Sequence, residues 1–465
     1  MALIQQGSSR GTKGHLLRIL GVGFGVAVIV GNTIGVGILR TPGEIAARLQ
    51  SSGLVIALWV LGGLYAFLCT LSVTELGTML PQAGGWYVYS RRAFGDYGGF
   101  LVGCSDWIVQ AASLAYAAVA FGEFAAELQP TLQGSVKLVG IAMLSILALL
   151  NWLGLRSGSR AQELTSMAKV LALVGFVVAC FVISPSGGAA ASSGTATFAS
   201  PRGGLFLAIL IAFQPIIVTY DGWYGAIYFM EEDEDPIRNL PRSSILGVVA
   251  CIAVYLLVNA ALLHVLPITR LAATQLPAAE AAMTVFGGHG KQVILIVSMV
   301  SAIGGINALM LMMPRILFGM SRDGLLPRAV ESVNRGGTPT TALLLATLAG
   351  IALILSGSFE KLVAMTAILF VAVYLSGFCA LFVLRVREPD LPRPFKAWGY
   401  PWTNLGVLVI SLAFLVASIV ADLKDALFTL VLLALSYPAY VLLVKRKRLP
   451  ANTGNPFTVP TDGLR

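Results

Sequence analysis

Two stretches of the chain place helix-breaking residues in the middle of long apolar runs. They are Gly31-Asn32-Thr33-Ile34-Gly35-Val36-Gly37-Ile38 and Thr219-Tyr220-Asp221-Gly222-Trp223-Tyr224-Gly225. A glycine inside a helix costs about 1 kcal/mol relative to alanine, and the closely spaced Gly31, Gly35 and Gly37 invite local unwinding. Unwinding frees chemistry: N–H groups at the start of the following half-helix hold a carboxylate, and carbonyls around the break accept from an ammonium. A solute that carries both groups side by side is an α-amino acid. Taken alone, Gly31 and Gly35 also form a small-xxx-small pair suited to close helix packing. Breaks in the first helix of both halves of a membrane chain point instead to a transport site.

Other chemistries find less support. His15, His264 and His289 are far apart in sequence, and no nucleophile–base constellation accompanies them, which argues against an enzyme. No G-x-x-x-x-G-K-[ST] loop supports ATP-driven transport. Cys69, Cys104, Cys180, Cys251 and Cys379 have no metal-ligand spacing and all fall in apolar stretches, so neither a metal, a cofactor nor a disulfide framework is expected.

The elements that position the two interruptions are membrane helices. Of 465 residues, 57% are hydrophobic and 11% charged, with a mean hydropathy of +0.83. A water-facing domain carries about 25% charged residues, and apolar runs long enough to cross ~30 Å of hydrocarbon recur along the chain. About twelve spans are predicted, at 17–47, 54–80, 97–128, 135–153, 161–184, 203–231, 243–266, 291–320, 339–356, 360–385, 403–421 and 425–444. The net charge of +9 is a topology signal and carries no nucleic-acid reading. With the N-terminus in the cytoplasm, 21 of the 31 Lys and Arg fall on the cytoplasmic side, 8 on the other, and Lys169 and Arg315 lie within spans. Both termini are therefore expected in the cytoplasm of a multi-pass cell-membrane protein in contact with lipid.

The Gly/Ala/Ser/Thr-rich stretch 185–202 divides the chain after five spans. Five is odd, so the next five enter from the opposite side and the two groups are expected to be related by inversion. The division is a cytoplasmic leader 1–16, a first five-helix repeat 17–184, an outer loop 185–202, a second repeat 203–385, two further helices with their preceding loop at 386–444, and a basic tail 445–465.

These residues resemble a known family. Thr33-Ile34-Gly35-Val36-Gly37-Ile38 resembles the first-helix motif of the amino acid–polyamine–organocation superfamily. Pro81-Gln82-Ala83-Gly84-Gly85-Trp86-Tyr87-Val88-Tyr89 is similar to its loop between spans two and three. Tyr220-Asp221-Gly222-Trp223, with Glu231-Glu232, Pro236 and Arg238-Asn239-Leu240-Pro241-Arg242, resembles the sixth-span signature of the L-type amino acid transporter branch. Ser321-Arg322-Asp323-Gly324-Leu325-Leu326-Pro327 and Leu391-Pro392-Arg393-Pro394-Phe395 match later cytoplasmic loops.

The resemblance implies an all-α, leucine-transporter-type inverted repeat with two extra C-terminal helices, working as a secondary amino acid transporter by exchange or proton coupling. It implies that the N–H groups around Val36 and Gly37 bind the substrate carboxylate, and that carbonyls of Thr33, Ile34, Val218 and Thr219 take the amino group. Where the family often has an aromatic gate this chain has Val218, so the expected gate is either looser or moved to Tyr220, with Trp223 also expected to gate. Ala168-Lys169-Val170-Leu171 matches members with a lysine at the position where sodium-coupled relatives bind the ion, and Ser301 falls at a matching polar position. Transport is therefore expected to be sodium-independent, with Lys169 either bridging the first and eighth helices or exchanging a proton. An ammonium that deep in the bilayer costs about 3 kcal/mol, so it needs a reason to be there; snorkelling to the interface is the plainer one. The outer loop between spans three and four has no cysteine, so no disulfide-linked heavy chain is expected.

The remaining charged and aromatic residues carry narrower expectations. Asp221 either satisfies local N–H groups in the break or meets a cationic substrate. Asp106, Glu123 and Glu127 are expected near the ends of the third span, and Asn307 and Arg315 as helix–helix hydrogen bonders. Trp223 and Tyr224 either line the pocket or anchor the half-helix. Glu232, in the run Glu231-Glu232-Asp233-Glu234-Asp235, is expected to gate the cytoplasmic side by pairing with Arg91 or Arg242. The pocket lacks an acidic cluster, which favours neutral substrates. The competing readings are a transporter of the same fold for a polyamine, an amine or a nucleobase, and a non-transporting amino acid sensor.

Overall fold

The computed structural model describes residues 15–183, 204–274, 276–357, 359–421 and 423–445. The loop 185–202, nearly all of the leader 1–16 and all of the tail beyond Lys445 lie outside the described residues. The described chain is helical, with no strand and only isolated bridges at Leu20–Asp233 and Val333–Pro339.

The helices are α1 (Val22–Thr33), α2 (Gly37–Leu49), α3 (Ser52–Met79), α4 (Trp86–Leu128), α5 (Val136–Trp152), α6 (Leu155–Ile183), α7 (Gly204–Thr219), α8 (Pro236–Val265), α9 (Ile268–Ala273), α10 (Pro277–Phe286), α11 (Gly290–Arg322), α12 (Thr340–Ser356), α13 (Phe359–Arg387), α14 (Trp402–Ala421) and α15 (Leu423–Lys445). Among the described residues, eight helices are long and apolar enough to cross a membrane, and the bent pair α1–α2 makes a ninth. The shorter apolar helices Ala208–Thr219, Thr340–Ser356 and Thr429–Val444 stand at the sixth, ninth and twelfth predicted spans. Within lipid every peptide group must be bonded inside the protein, and continuous helices meet that demand along most of the described spans, with the two breaks as departures.

Two differences from the sequence expectation have local causes. Where a loop was expected ahead of the third span, a helical leg at 86–94 carries Arg91 and Arg92 and joins the predicted span 97–128 through a kink at Gly95 (φ 83°, ψ −177°). The connection between the seventh and eighth spans holds two short helices, α9 and α10, which pack on α2.

Start signals are the expected ones where the chain leaves a loop. Ser51 Oγ accepts from Leu54 N ahead of α3, and the Asp235 side chain accepts from Arg238 N ahead of α8, whose first residue is Pro236. The core is built where α11 and α13 pack on α4, α3 packs on α8, and α1 packs on α8 and α6. α5, α6, α14 and α15 turn exposed Leu and Val side chains outward, as a lipid-facing layer requires.

Candidate functional site

The first break separates α1 from α2 at residues 34–36 and bends the pair by 46°. Ile34 (φ −79°, ψ 87°) leaves the helical region, and no side chain caps the N-terminus of α2. The second break follows Thr219: residues 220–224 form turns, and a short 3-10 helix, Gly225–Phe229, resumes the path.

The breaks touch each other. Gly222 has φ +115°, and a Cβ there would lie 2.6 Å from Thr33 N. Thr41 and Thr219 share a hydroxyl hydrogen bond of 3.0 Å. From α8, the hydroxyl of Tyr255 lies 2.6 Å from the Thr33 carbonyl and 2.9 Å from the Thr219 carbonyl. A phenol has one proton to donate, so two carbonyls on opposite breaks compete for it. Tyr255 is the residue sequence reading missed, and its only signal was a lone tyrosine in an otherwise aliphatic run.

Lys169, fully buried on α6, ties the first break to α11. Its Nζ donates to the carbonyls of Gly31 (3.0 Å), Ile34 (2.9 Å) and Ser301 (3.2 Å). An ammonium among the last carbonyls of α1 sits where the helix dipole favours positive charge. It bridges the first and eighth spans, α1 and α11, and does not snorkel, and the polar partner at Ser301 is the peptide carbonyl.

A cavity of about 630 Å³ opens beside the breaks. Of the predicted binding residues, Thr33, Gly35, Val36, Gly37, Val218, Thr219 and Asp221 line it, as does Ser301. Ile34, Tyr220 and Gly222 do not. Ile34 is fully buried with its carbonyl on Lys169, and Gly222 lies against the Asn32–Thr33 backbone. Tyr220, the expected gate, turns away, donates to the Trp59 carbonyl (3.1 Å) and packs on Trp59 and Tyr255. The opposite wall comes from α4, through Gln110, Ser113, Tyr116 and Ala117. The exposed side chains of Arg40 and Glu44 border the cavity at its open end.

At the other end the protein is closed. Glu232 pairs with Arg315 of α11 and not with Arg91 or Arg242: Arg315 Nε and Nη2 donate to the two carboxylate oxygens at 2.9 and 2.8 Å, with both side chains buried. The N-terminal strap seals this pair, because Ile19 N and Leu20 N both donate to the Glu232 carbonyl and Glu234 N donates to that of Leu20. Outside it, Glu231 pairs with Arg322, and Arg91 pairs with Asp323 and Asp96 at 2.9 Å each. Burial raises the Asp233 carboxyl above its ordinary range, opposed by donation from Asn239 Nδ2 at 2.7 Å.

Asp221 accepts from Tyr374 of α13. Asp106 is not near a span end. It lies buried midway along α4, accepting from Gln110 Nε2 (2.9 Å) and Tyr228 Oη (2.8 Å). Glu127 does lie at a helix end, paired with Lys291 at 2.6 Å. Asn307 bonds across helices to Asn151, Gly158 and Gln162, as expected. Trp223 is buried among Trp86, Tyr374 and Phe378 and anchors the turn outside the cavity wall, whereas Tyr224 lines the cavity. Sequence reading also missed the pair of Glu75, buried on α3, with the partly exposed Arg385 of α13 at 2.6–2.8 Å, whose signal was a carboxylate inside an apolar run. Among the described residues, no group of three His, Cys, Asp or Glu side chains could hold a metal ion.

Residues 25–437 match the family model for amino acid permease. The chain is 27% identical over 437 residues to a serine/threonine exchanger of Bacillus subtilis, covering 93% of this chain and 98% of that one. It is 28% identical over 410 residues to the large neutral amino acids transporter small subunit 2 of Oryctolagus cuniculus, covering 84% and 74%. It is 30% identical over 414 residues to the Asc-type amino acid transporter 1 of Mus musculus, covering 86% and 75%.

Proposed function

The chain belongs to the amino acid permease family and moves amino acids across a membrane by exchange, and from that premise we propose how its two breaks do so. The substrate carboxylate is held by the uncapped N–H groups at Val36 and Gly37. The amino group is held by carbonyls around the breaks, where Tyr255 gives up one of its two acceptors as the ammonium arrives. Lys169 is a fixed charge in place of an ion, so transport is sodium-independent. The fifth and tenth spans each close a five-helix repeat, and the two repeats move around this site.

Alternating access proceeds by parting the Glu232–Arg315 pair, with the seals at Ile19–Leu20 and Arg322 opening alongside it. In the described conformation the cavity opens past Arg40 and Glu44, which is the outer side if both termini are cytoplasmic in a cell membrane. Neutral amino acids are the expected cargo, in keeping with the names of several relatives. The five cysteines all lie in helices, which supports a transporter working without a disulfide-linked heavy chain.

The observation that carries this reading is an uncapped helix N-terminus lining a cavity whose other border is the touching second break. The test is counterflow in proteoliposomes loaded with unlabelled amino acid. Free amino acids should drive uptake of label with sodium or choline outside alike, and their methyl esters should fail to compete. Ester competition equal to that of the free acid refutes carboxylate binding at the first break. A sodium requirement refutes the role given to Lys169.

A further inference from the structure

Several arginines on the closed side of the protein are neutralised where they stand: Arg91, Arg92, Arg322 and Arg385 each pair with a carboxylate. Arg156 and Arg160 of α6 and Arg335 of the loop ahead of α12 differ. All three are exposed, and among the described residues none of them forms an ion pair. Glu163, just beyond Arg160, is directed at α1, with Oε1 4.0 Å from the point where a Cβ on Gly23 would stand.

The fold brings the three cations together. The loop 334–338 is stitched to the turn between α5 and α6 by three hydrogen bonds. Asn334 Nδ2 donates to the Trp152 carbonyl at 2.6 Å, Leu155 N to the Gly336 carbonyl at 2.8 Å, and Thr338 Oγ1 to the Asn151 carbonyl at 2.8 Å. The backbones touch there, since a Cβ on Gly154 would lie 3.1 Å from Gly336 Cα. Arg335 adjoins that contact, Arg156 follows it closely in α6, and Arg160 stands one helical turn further on the same face.

Their depth follows from α6 itself. Leu164, Met167, Leu171, Val178 and Val182 are exposed at helical spacing and form a stripe that faces lipid. From Leu164 to Ile183 the helix rises about 28 Å, which matches the ~30 Å of hydrocarbon in a bilayer. Arg160 and Arg156 prolong that stripe by about 6 and 12 Å, into the headgroup layer. Trp152 and Leu153, exposed beside them, mark the same boundary. Like charges gathered without a counter-ion repel one another, and an anion between them removes that cost. A guanidinium grips a phosphate through two parallel hydrogen bonds. The lipid-facing stripe selects among anions: one that carries acyl chains can lay them along Leu164–Val182 while its phosphate meets the arginines.

We propose that Arg156, Arg160 and Arg335 form a binding site for the headgroup of an anionic phospholipid. The lipid ties α6, the helix that carries Lys169, to the loop that leads into α12.

The experiment is native mass spectrometry of the full chain in detergent, titrated with phosphatidylglycerol or phosphatidylcholine. The wild type should bind its first phosphatidylglycerol at least about tenfold more tightly than phosphatidylcholine. An arginine near an anionic lipid surface contributes about fivefold in affinity, so Arg156→Gln with Arg335→Gln should weaken phosphatidylglycerol binding by roughly thirtyfold. Phosphatidylcholine binding should not change, which controls for misfolding. Arg242→Gln with Arg328→Gln removes two other exposed arginines without an ion pair among the described residues, and should leave the first phosphatidylglycerol in place. Glycerol 3-phosphate in tenfold excess should not displace the lipid, because it has no acyl chains. Equal binding of the two lipids by the wild type, or a loss in the Arg156–Arg335 variant no greater than in the Arg242–Arg328 variant, overturns the site. Displacement by glycerol 3-phosphate overturns the lipid as its occupant.

Discussion

Replacing Lys169 with methionine keeps the side-chain volume and removes every donor. The loss can be worked from its contacts. Lys169 Nζ donates to three carbonyls, at 3.0, 2.9 and 3.2 Å, and a hydrogen bond to a charged group contributes about 1.5–3 kcal/mol net. Three of them amount to roughly 4.5–9 kcal/mol. Methionine recovers the cost of burying an ammonium at mid-membrane, about 3 kcal/mol. The balance still favours lysine, by roughly 1.5 kcal/mol at the least. At about 1.4 kcal/mol per factor of ten, the break should hold its binding geometry at least about tenfold less often. The assay is initial uptake of labelled amino acid in proteoliposomes, normalised to correctly folded protein by size-exclusion chromatography. Lys169→Met should lose at least that factor, and sodium should not restore it, because no carboxylate takes the place of the lost charge. Uptake within twofold of wild type would mean that the three carbonyls are satisfied without the ammonium, and the argument would fail.

Glu232→Ala leaves Arg315 buried without its counter-charge, a loss of about 3–5 kcal/mol. It should lower the thermal midpoint of the detergent-solubilised protein, and the double change Glu232→Met with Arg315→Met should restore that midpoint but not exchange; restored exchange would show the pair is no gate. Tyr255→Phe removes one shared neutral hydrogen bond, about 0.5–1.5 kcal/mol, and should raise the substrate KM by roughly two- to tenfold, measured as concentration-dependent uptake. Gly222→Ala forces a Cβ to 2.6 Å from Thr33 N at φ +115° and should abolish uptake, whereas Gly175→Ala on exposed α6 meets nothing within 4 Å and should not; equal activity of the two variants would contradict the close approach of the breaks.

Much of this was legible in the residues themselves. The apolar runs marked the helices, because a membrane span needs only length and a lack of charge. Gly31, Gly35, Gly37 and Gly222 marked the breaks, because loss of a Cβ acts on the chain where it occurs. Lys169 stood out because a charge in an apolar run is conspicuous. Misplacements arose where a partner had to be chosen from a distant element. Glu232 was assigned loop arginines close in the predicted topology, but a carboxylate that is fully buried takes the buried Arg315 four helical segments later. Asp106 was expected near an end of the third span, but it lies well inside the helix that follows the Gly95 kink, where Gln110 and Tyr228 bond it.

The sequence by itself therefore determined the membrane class and where two of its helices come apart, since each depends on composition and backbone freedom within a few neighbouring residues. Only the tertiary structure decided that Tyr255 joins the breaks and that Tyr220 turns out of the cavity. Those outcomes turn on which groups meet across 36 to 222 residues of chain, and a hydrogen bond requires a position and a direction that no local pattern encodes.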